Sequence, residues 1–120
     1  MNPMYSERLL EHFENPRNVG EIQDADVRVE VSNPICGDIL RLSANLSSGR
    51  IAEIRYLTRG CTASIAVGSA LTELLAGKNA DEAAAVTRGD VENAVGGLSN
   101  ESKHAAVLAV DGVKAMVRQM

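Results

Sequence analysis

The sequence predicts an α+β fold in which a small three-stranded antiparallel sheet carries helices on one face. Three stretches between residues 27 and 59 alternate apolar with polar side chains, which is the period of half-buried strands. Later stretches repeat their apolar residues at helical spacing. Strands in meander order followed by helices are typical of the α+β class, because the helices can then cover one face of the sheet.

The length and composition indicate a single domain over residues 1–120. The chain has 120 residues, of which 45% are hydrophobic, but only three are aromatic and none is tryptophan. One compact core of common size accounts for such a chain. That core must be built from aliphatic side chains and alanine.

Charge and hydropathy exclude several classes of function. The formal net charge is -4 and no run of Lys or Arg is long enough to follow a phosphate backbone, so we expect no nucleic-acid partner. No stretch approaches the roughly 18 apolar residues of a membrane span, and the opening residues lack the features of a signal peptide. Two cysteines are too few for a disulfide framework. We therefore expect a cytoplasmic protein that does not enter a membrane.

An amphipathic helix is predicted over residues 5–14, where apolar residues share one side and Asn15-Pro16 ends the pattern. Residues 18–26 are polar and are interpreted as a connection that is mobile without a partner. Strands follow at residues 27–32, around Leu40 and Leu42, and from Ile51 to Arg59. Residues 33–38 (Asn-Pro-Ile-Cys-Gly-Asp) have the composition of a tight turn, so the first cysteine falls on a hairpin tip.

Three helices are predicted after the sheet. The first covers residues 62–76 with Gly77 as its C-terminal cap, and a short one covers residues 81–86. A polar connection through Gly96-Gly97 leads to a last helix, capped by Ser99 or Asn100 and running to the C-terminus. Its expected buried side consists of Val107, Leu108, Val110, Val113, Met116 and Val117.

Four residues have the chemistry of metal ligands. Cys36 and Asp38 flank Gly37 in one turn, where the missing side chain lets a metal approach. Cys61 stands where a strand meets a helix, and the positive end of the helix dipole favours a thiolate there. His104 lies in the first turns of the last helix. Two sulfurs, one oxygen and one nitrogen would close a tetrahedral site for zinc or iron.

Each of these residues also has an ordinary structural interpretation. Asp38 can be a turn former, Cys61 a small core residue and His104 a half-exposed residue of a helix surface. His12 is interpreted as a surface residue. Because the four candidate ligands come from three distant segments, spacing alone leaves both interpretations open.

Several motifs together resemble the N-terminal iron-sulfur scaffold family of IscU and NifU along nearly the whole chain. Tyr5-Ser6 and residues 12–20 (His-Phe-Glu-Asn-Pro-Arg-Asn-Val-Gly) are similar to that family's first helix and its exit. Residues 33–38 resemble its first ligand loop, and residues 60–64 (Gly-Cys-Thr-Ala-Ser) resemble its second. Gly77-Lys78 stands where the family closes the following helix.

The resemblance implies a scaffold that is not an enzyme. Such a protein accepts sulfur from a cysteine desulfurase, binds iron, assembles a [2Fe-2S] cluster and hands it to an acceptor or carrier protein. It also implies that Cys36, Asp38, Cys61 and His104 are the ligands, with Asp38 as the labile one. Loop ligands of this kind bind a cluster loosely enough to release it.

Two features depart from the family pattern. A third ligand cysteine is expected after His104, but the chain has Ala105, whose methyl group binds no metal. Residues 98–103 (Leu-Ser-Asn-Glu-Ser-Lys) lack the Pro-Pro-Val-Lys element, so we do not expect recognition by a specialised DnaK-type chaperone. The chain also lacks the insert typical of the zinc-dependent SufU branch, which favours an IscU-like or NifU-like placement.

The missing cysteine keeps alternatives open. Zinc fits the remaining ligands as well as iron does. The chain could therefore be a divergent relative that binds zinc, or only protein partners, without assembling clusters. A two-cysteine redox protein is a weaker third interpretation, because the cysteines do not form a Cys-X-X-Cys motif.

Overall fold

The computed structural model describes residues 5–35 and 37–120, so Cys36 lies outside the described residues. A sheet of three strands is flanked by helices before and after it in the chain. The elements are α1 (Glu7–Glu14), β1 (Val27–Ser32), β2 (Ile39–Ser47), β3 (Arg50–Arg59), α2 (Thr62–Leu75), α3 (Ala80–Ala84), α4 (Arg88–Ala94) and α5 (Lys103–Gln119), the last preceded by a 3-10 turn over Asn100–Ser102.

The three strands form an antiparallel meander in the order β1-β2-β3, which confirms the predicted α+β class. The register pairs Val29 with Leu42 and Leu42 with Tyr56, so inward-facing side chains of all three strands line up on one face. Helix α5 covers this face over β1 and β2, and α2 covers it over β3. Small residues permit the close contact. Gly112 of α5 lies against Leu42, and Gly68 of α2 lies against Tyr56.

The connection between α1 and β1, which its composition predicts to be mobile without a partner, is hydrogen-bonded to the sheet. The backbone N–H of Tyr56 donates to the carbonyl of Asn18, and the N–H of Gly20 donates to the carbonyl of Tyr56, both at 2.9 Å. Further along, the N–H of Ile22 donates to Ser43 Oγ at 3.0 Å. These contacts occupy backbone groups at the free edge of β3 and satisfy a buried hydroxyl on the opposite face, which composition does not reveal.

The structure corrects two details of the helical half. Helix α4 occupies part of the predicted polar connection, and it contains only one buried residue, Val91, so no apolar periodicity marked it. A capping box between Thr87 and Asp90 starts it instead. Ser99 and Asn100 do not cap α5 with their side chains, because the chain first makes a 3-10 turn.

The buried face of α5 also differs from the expected one. Leu108, Val113 and Met116 are buried as expected, whereas Val107 is 41% exposed. Val110 and Val117, also assigned to the buried side, are only partly buried. The helix instead buries several small residues, and one of them, Gly112, lies against Leu42 and Leu40 of the sheet. Its buried residues are Ala105, Ala106, Leu108, Ala109, Gly112, Val113 and Met116. Within the described ranges, no helix combines the length and the apolar character that crossing a membrane requires.

His12 is buried, and the expectation that it lies on the surface is wrong. Its Nδ1 lies 2.8 Å from Ser69 Oγ, and the same hydroxyl accepts the backbone N–H of Arg17 at 2.9 Å. The Arg17 guanidinium, which can only donate, lies 3.3 Å from Nδ1. Nδ1 therefore acts as an acceptor and the proton of the neutral ring lies on Nε2, which is 3.6 Å from Glu73 Oε1. This network holds α1 against α2.

Stability is expected to fall between neutral and mildly acidic pH because of His12. The pKa of His12 is lowered in the folded protein. Burial is the larger cause, and the positive charge of Arg17 is the second. The unfolded chain therefore takes up the proton at a higher pH than the folded chain does. The free energy of unfolding is highest above the ordinary histidine pKa of about 6.5 and decreases as the pH falls through that value toward the folded pKa.

Urea unfolding at about pH 7.5 and about pH 5.5 measures this effect, since histidine titrates between them. The carboxyls of Glu11, Glu82 and Asp90 do not contribute to this difference. Hydrogen bonds lower their pKa values from ordinary values of about 4, which already lie below about pH 5.5. The decrease in the free energy of unfolding between these two pH values should be smaller in His12→Gln than in the natural chain. His104→Gln is the matched control, and an equal reduction in both variants would contradict the assignment to His12.

Candidate metal centre

Three of the predicted ligands converge at one corner of the fold. One donor atom from each of Asp38, Cys61 and His104 lies within 4.8 Å of the other two. The residues come from the end of the β1-β2 connection, the start of α2 and the start of α5. The fold therefore unites an oxygen, a sulfur and a nitrogen donor from segments that are far apart in sequence.

Asp38 is held by its turn and by a serine. The N–H of Asn33 donates to the Asp38 carbonyl at 2.9 Å, and the N–H of Gly37 donates to the Asn33 carbonyl at 2.7 Å. Gly37 has a φ of 76°, in the left-handed region that glycine adopts without strain. The Asp38 side chain turns inward and is only 7% exposed. Ser64 Oγ donates to its Oδ2 at 2.6 Å, which satisfies the buried carboxylate.

Cys61 is the residue immediately before the first turn of α2. It occupies the N-cap position with an extended backbone, and its side chain makes no capping hydrogen bond. The thiol is exposed. Its Sγ lies 3.5 Å from Ser64 Oγ and 3.9 Å from His104 Nε2. The sulfur therefore lies close to the other two donors in a residue that is exposed overall.

His104 is the second residue of α5 and completes the triad. Its Nε2 lies 3.2 Å from Asp38 Oδ2. Its neighbour Ala105 is 2% exposed, so the methyl group at the position where a third ligand cysteine was expected is buried. The helix start thus supplies one nitrogen donor and no second sulfur.

Two of the three donor–donor distances come close to those around a single tetrahedral ion. Bonds of about 2.0–2.3 Å to a central metal place tetrahedral ligand atoms about 3.3–3.8 Å apart. The nitrogen–oxygen distance of 3.2 Å and the sulfur–nitrogen distance of 3.9 Å are close to this range. The mixture of thiolate, imidazole and carboxylate suits zinc or iron. Small side-chain movements would bring these donors into coordination.

Cys36, the fourth predicted ligand, lies outside the described residues and stays a prediction. In the sequence it directly precedes Gly37 and is two residues before Asp38. Sequence reasoning did not single out Ser64, which contacts both Asp38 and Cys61. The sequence nevertheless contained a sign of its role. Ser64 follows Cys61 by three residues at the start of a predicted helix, and this spacing places both residues on the same side of the helix.

Gly60 leaves room for the Asp38 carboxylate. A Cβ atom at position 60 would lie 2.8 Å from Asp38 Cγ and 2.9 Å from its Oδ2, closer than non-bonded atoms approach. The glycine therefore belongs to the site although it offers no ligand. Its lack of a side chain lets the carboxylate lie between the end of β3 and the start of α2.

Comparison with known proteins places the chain among iron-sulfur scaffold relatives. The sequence profile of the NifU-like N terminal domain matches residues 4–120. The iron-sulfur cluster assembly scaffold protein IscU 1 of Archaeoglobus fulgidus is 42% identical over 114 residues, which cover 95% of this chain and 74% of that protein. The scaffold protein IscU of Escherichia coli K12 is 38% identical over 117 residues, which cover 94% and 91% of the two chains.

Solved structures share the fold. A protein from Fervidobacterium islandicum, described as a cluster assembly scaffold for the SUF system, superposes with a TM-score of 0.74 at 21% identity and covers 95% of this chain and 96% of its own. The N-terminal part of a NifU-like protein from Brucella abortus gives a TM-score of 0.66 at 19% identity, covering 97% and 82%. With the profile match over nearly its whole length, the chain belongs to the NifU-like N-terminal domain family.

Proposed function

We propose that this protein is a scaffold for iron-sulfur cluster assembly, in which the cluster is cargo. It binds iron at the Asp38, Cys61 and His104 site, receives sulfur from a cysteine desulfurase and delivers the cluster to acceptor or carrier proteins. The main support for this proposal is the convergence of these three donors at one corner of the fold. The chain also belongs to a family that includes proteins named as iron-sulfur cluster assembly scaffolds. The proposal includes a cytoplasmic location and no catalytic turnover of its own.

The exposure of Cys61 supports a role in sulfur transfer. Its thiolate can attack the outer sulfur of a persulfide carried by the desulfurase. A new sulfur–sulfur bond then forms on Cys61, the bond in the donor persulfide breaks, and the desulfurase cysteine leaves as a thiolate. Such an exchange needs a sulfur atom that a partner protein can reach, and Cys61 has one.

Asp38 and His104 support the binding of iron. The carboxylate is a harder ligand than a thiolate, and its use in place of sulfur weakens the hold on a cluster. Cys36 is proposed as the fourth ligand from the sequence alone. We expect a [2Fe-2S] cluster, and we do not expect help from a DnaK-type chaperone because its recognition element is absent from residues 98–103.

A second candidate function is a zinc-binding relative that has lost cluster assembly. Two observations favour it. A buried alanine stands at position 105 in place of a ligand, and the donor spacing suits one ion. Zinc would bind the same donors in a closed site, whereas a cluster needs ligands for two irons.

Anaerobic incubation with ferrous iron, cysteine, a reductant and a cysteine desulfurase tests the scaffold function. We expect visible absorbance from the natural chain and equal amounts of bound iron and acid-labile sulfide. The cluster should then move to an apo-ferredoxin. A colourless protein that retains one zinc ion would instead support the second candidate.

Ala105→Cys shows whether the missing ligand matters. The added sulfur would stand beside His104, so we expect a cluster that is held more tightly and transferred more slowly than in the natural chain. Ala106→Cys is the matched control, since it adds a thiol at the next buried position. Cluster formation in Ala105→Cys alone would mean that the natural chain is not a competent scaffold.

A further inference from the structure

Ser64 contacts two of the three donor residues at once. Its hydroxyl donates to Asp38 Oδ2 at 2.6 Å and lies 3.5 Å from Cys61 Sγ. The residue is 5% exposed, so solvent scarcely competes for these contacts. Ser64 therefore links the end of the β1-β2 connection to the start of α2 within the candidate metal centre.

In the hydrogen bond between Ser64 and Asp38, the donor and the acceptor are defined. An ionised carboxylate can only accept, so the single hydroxyl proton of Ser64 is donated to Asp38. A hydrogen bond to a charged group is shorter and stronger than one between neutral groups, and 2.6 Å lies within that range. With its proton used at Asp38, Ser64 can only accept from a protonated Cys61 thiol.

The surroundings leave the Asp38 carboxylate little freedom. Gly60 lies against it on one side, where even a Cβ atom would be too close. Ser64 holds Oδ2 on another side, and His104 Nε2 approaches the same oxygen at 3.2 Å. Hydrogen bonds of this kind orient metal ligands before the ion arrives, and their loss typically costs about 10–100-fold in affinity.

From this geometry we infer that Ser64 is a positioning residue of the metal centre, which acts by orienting the Asp38 carboxylate toward the bound ion. The inference rests on the proposed metal-binding function of the site, and it assigns a role to a residue that offers no ligand of its own. It predicts that replacing Ser64 lowers the metal affinity only in a chain that still contains Asp38.

Cobalt binding tests the inference without cluster assembly. Co²⁺ takes the same donors as zinc, and its visible and near-ultraviolet bands report tetrahedral geometry and thiolate coordination. We expect Ser64→Ala to lower the Co²⁺ affinity by about 10–100-fold and to weaken the tetrahedral bands. Ser64→Thr keeps the hydroxyl and should restore most of the affinity. Thermal unfolding of the metal-free proteins shows that each variant is folded.

A double-mutant cycle with Asp38→Ala separates positioning from a general structural role. If Ser64 acts through Asp38, adding Ser64→Ala to Asp38→Ala should change the Co²⁺ affinity little further. An equal fold-loss in both backgrounds would overturn the inference, as would natural affinity in Ser64→Ala. A natural chain without any thiolate–cobalt band would overturn the metal site itself. Normal cobalt binding without cluster assembly would contradict only the scaffold function.

Discussion

Replacing Cys61 with serine is expected to weaken Co²⁺ binding by more than about 100-fold, since the loss of a direct ligand should exceed the 10–100-fold cost of losing its supporting partners. The serine hydroxyl is not deprotonated at neutral pH, so it cannot substitute for the thiolate as a metal ligand. The near-ultraviolet thiolate–cobalt band should decrease strongly with the affinity.

The unfolding temperature of Cys61→Ser serves as a control for its folding. Cys61 is the N-cap of α2 but makes no capping hydrogen bond, whereas serine is among the preferred N-cap residues. Cys61→Ser should therefore unfold at the same temperature as the natural chain or at a higher one. Unchanged cobalt affinity in this variant would show that Cys61 is not a ligand, and a lower unfolding temperature would show that the sulfur stabilises the fold.

Gly68→Ala is expected to destabilise the fold, although alanine is the better helix former. A Cβ atom there would lie 2.5 Å from both Cδ2 and Cε2 of Tyr56. The Tyr56 ring is 2% exposed, and its hydroxyl donates to the Ile65 carbonyl at 2.9 Å, so the ring cannot move away cheaply. Burial also raises the pKa of Tyr56 to about 12, which keeps this donor protonated.

Overpacking of a core contact costs about 1–3 kcal/mol, a large part of the stability of a domain of this size. Urea unfolding measures the loss. Gly89→Ala is the matched control in α4, where the nearest atom to a new Cβ is Thr87 Oγ1 at an ordinary 3.6 Å. This control should be neutral or stabilising by up to about 1 kcal/mol. Equal stability of the two variants would contradict the tight contact between α2 and β3.

The sheet and the long helices followed from local patterns in the sequence. Val27, Val29 and Val31 alternate with polar residues, and the structure places them in a strand on the helix-covered face. Asn33 to Asp38 has turn composition, and the structure closes a hydrogen-bonded turn there. Side-chain direction alternates along a strand and returns every three to four residues along a helix. Burial patterns of this kind are therefore readable without knowledge of the partners.

Features that depend on distant contacts were missed. His12 shows no local sign of burial, because its partner Ser69 is 57 residues away. Helix α4 was missed for a local reason instead. It buries only Val91, so its apolar pattern is weak, and the capping box between Thr87 and Asp90 that marks its start was not used. Val107 has an apolar side chain, but it lies on the exposed side of α5, and its residue type does not reveal this.

The residue types by themselves predicted the strands and the longer helices, and they showed that position 105 is not a cysteine. They also made Cys36, Asp38, Cys61 and His104 the candidate ligands. Only the tertiary structure decided that Asp38 and Cys61 meet His104, and that Ser64 holds Asp38. These contacts join residues 26, 43 and 66 positions apart. Periodicity reports which side of an element is buried, whereas the meeting of two elements depends on how their buried faces pack together.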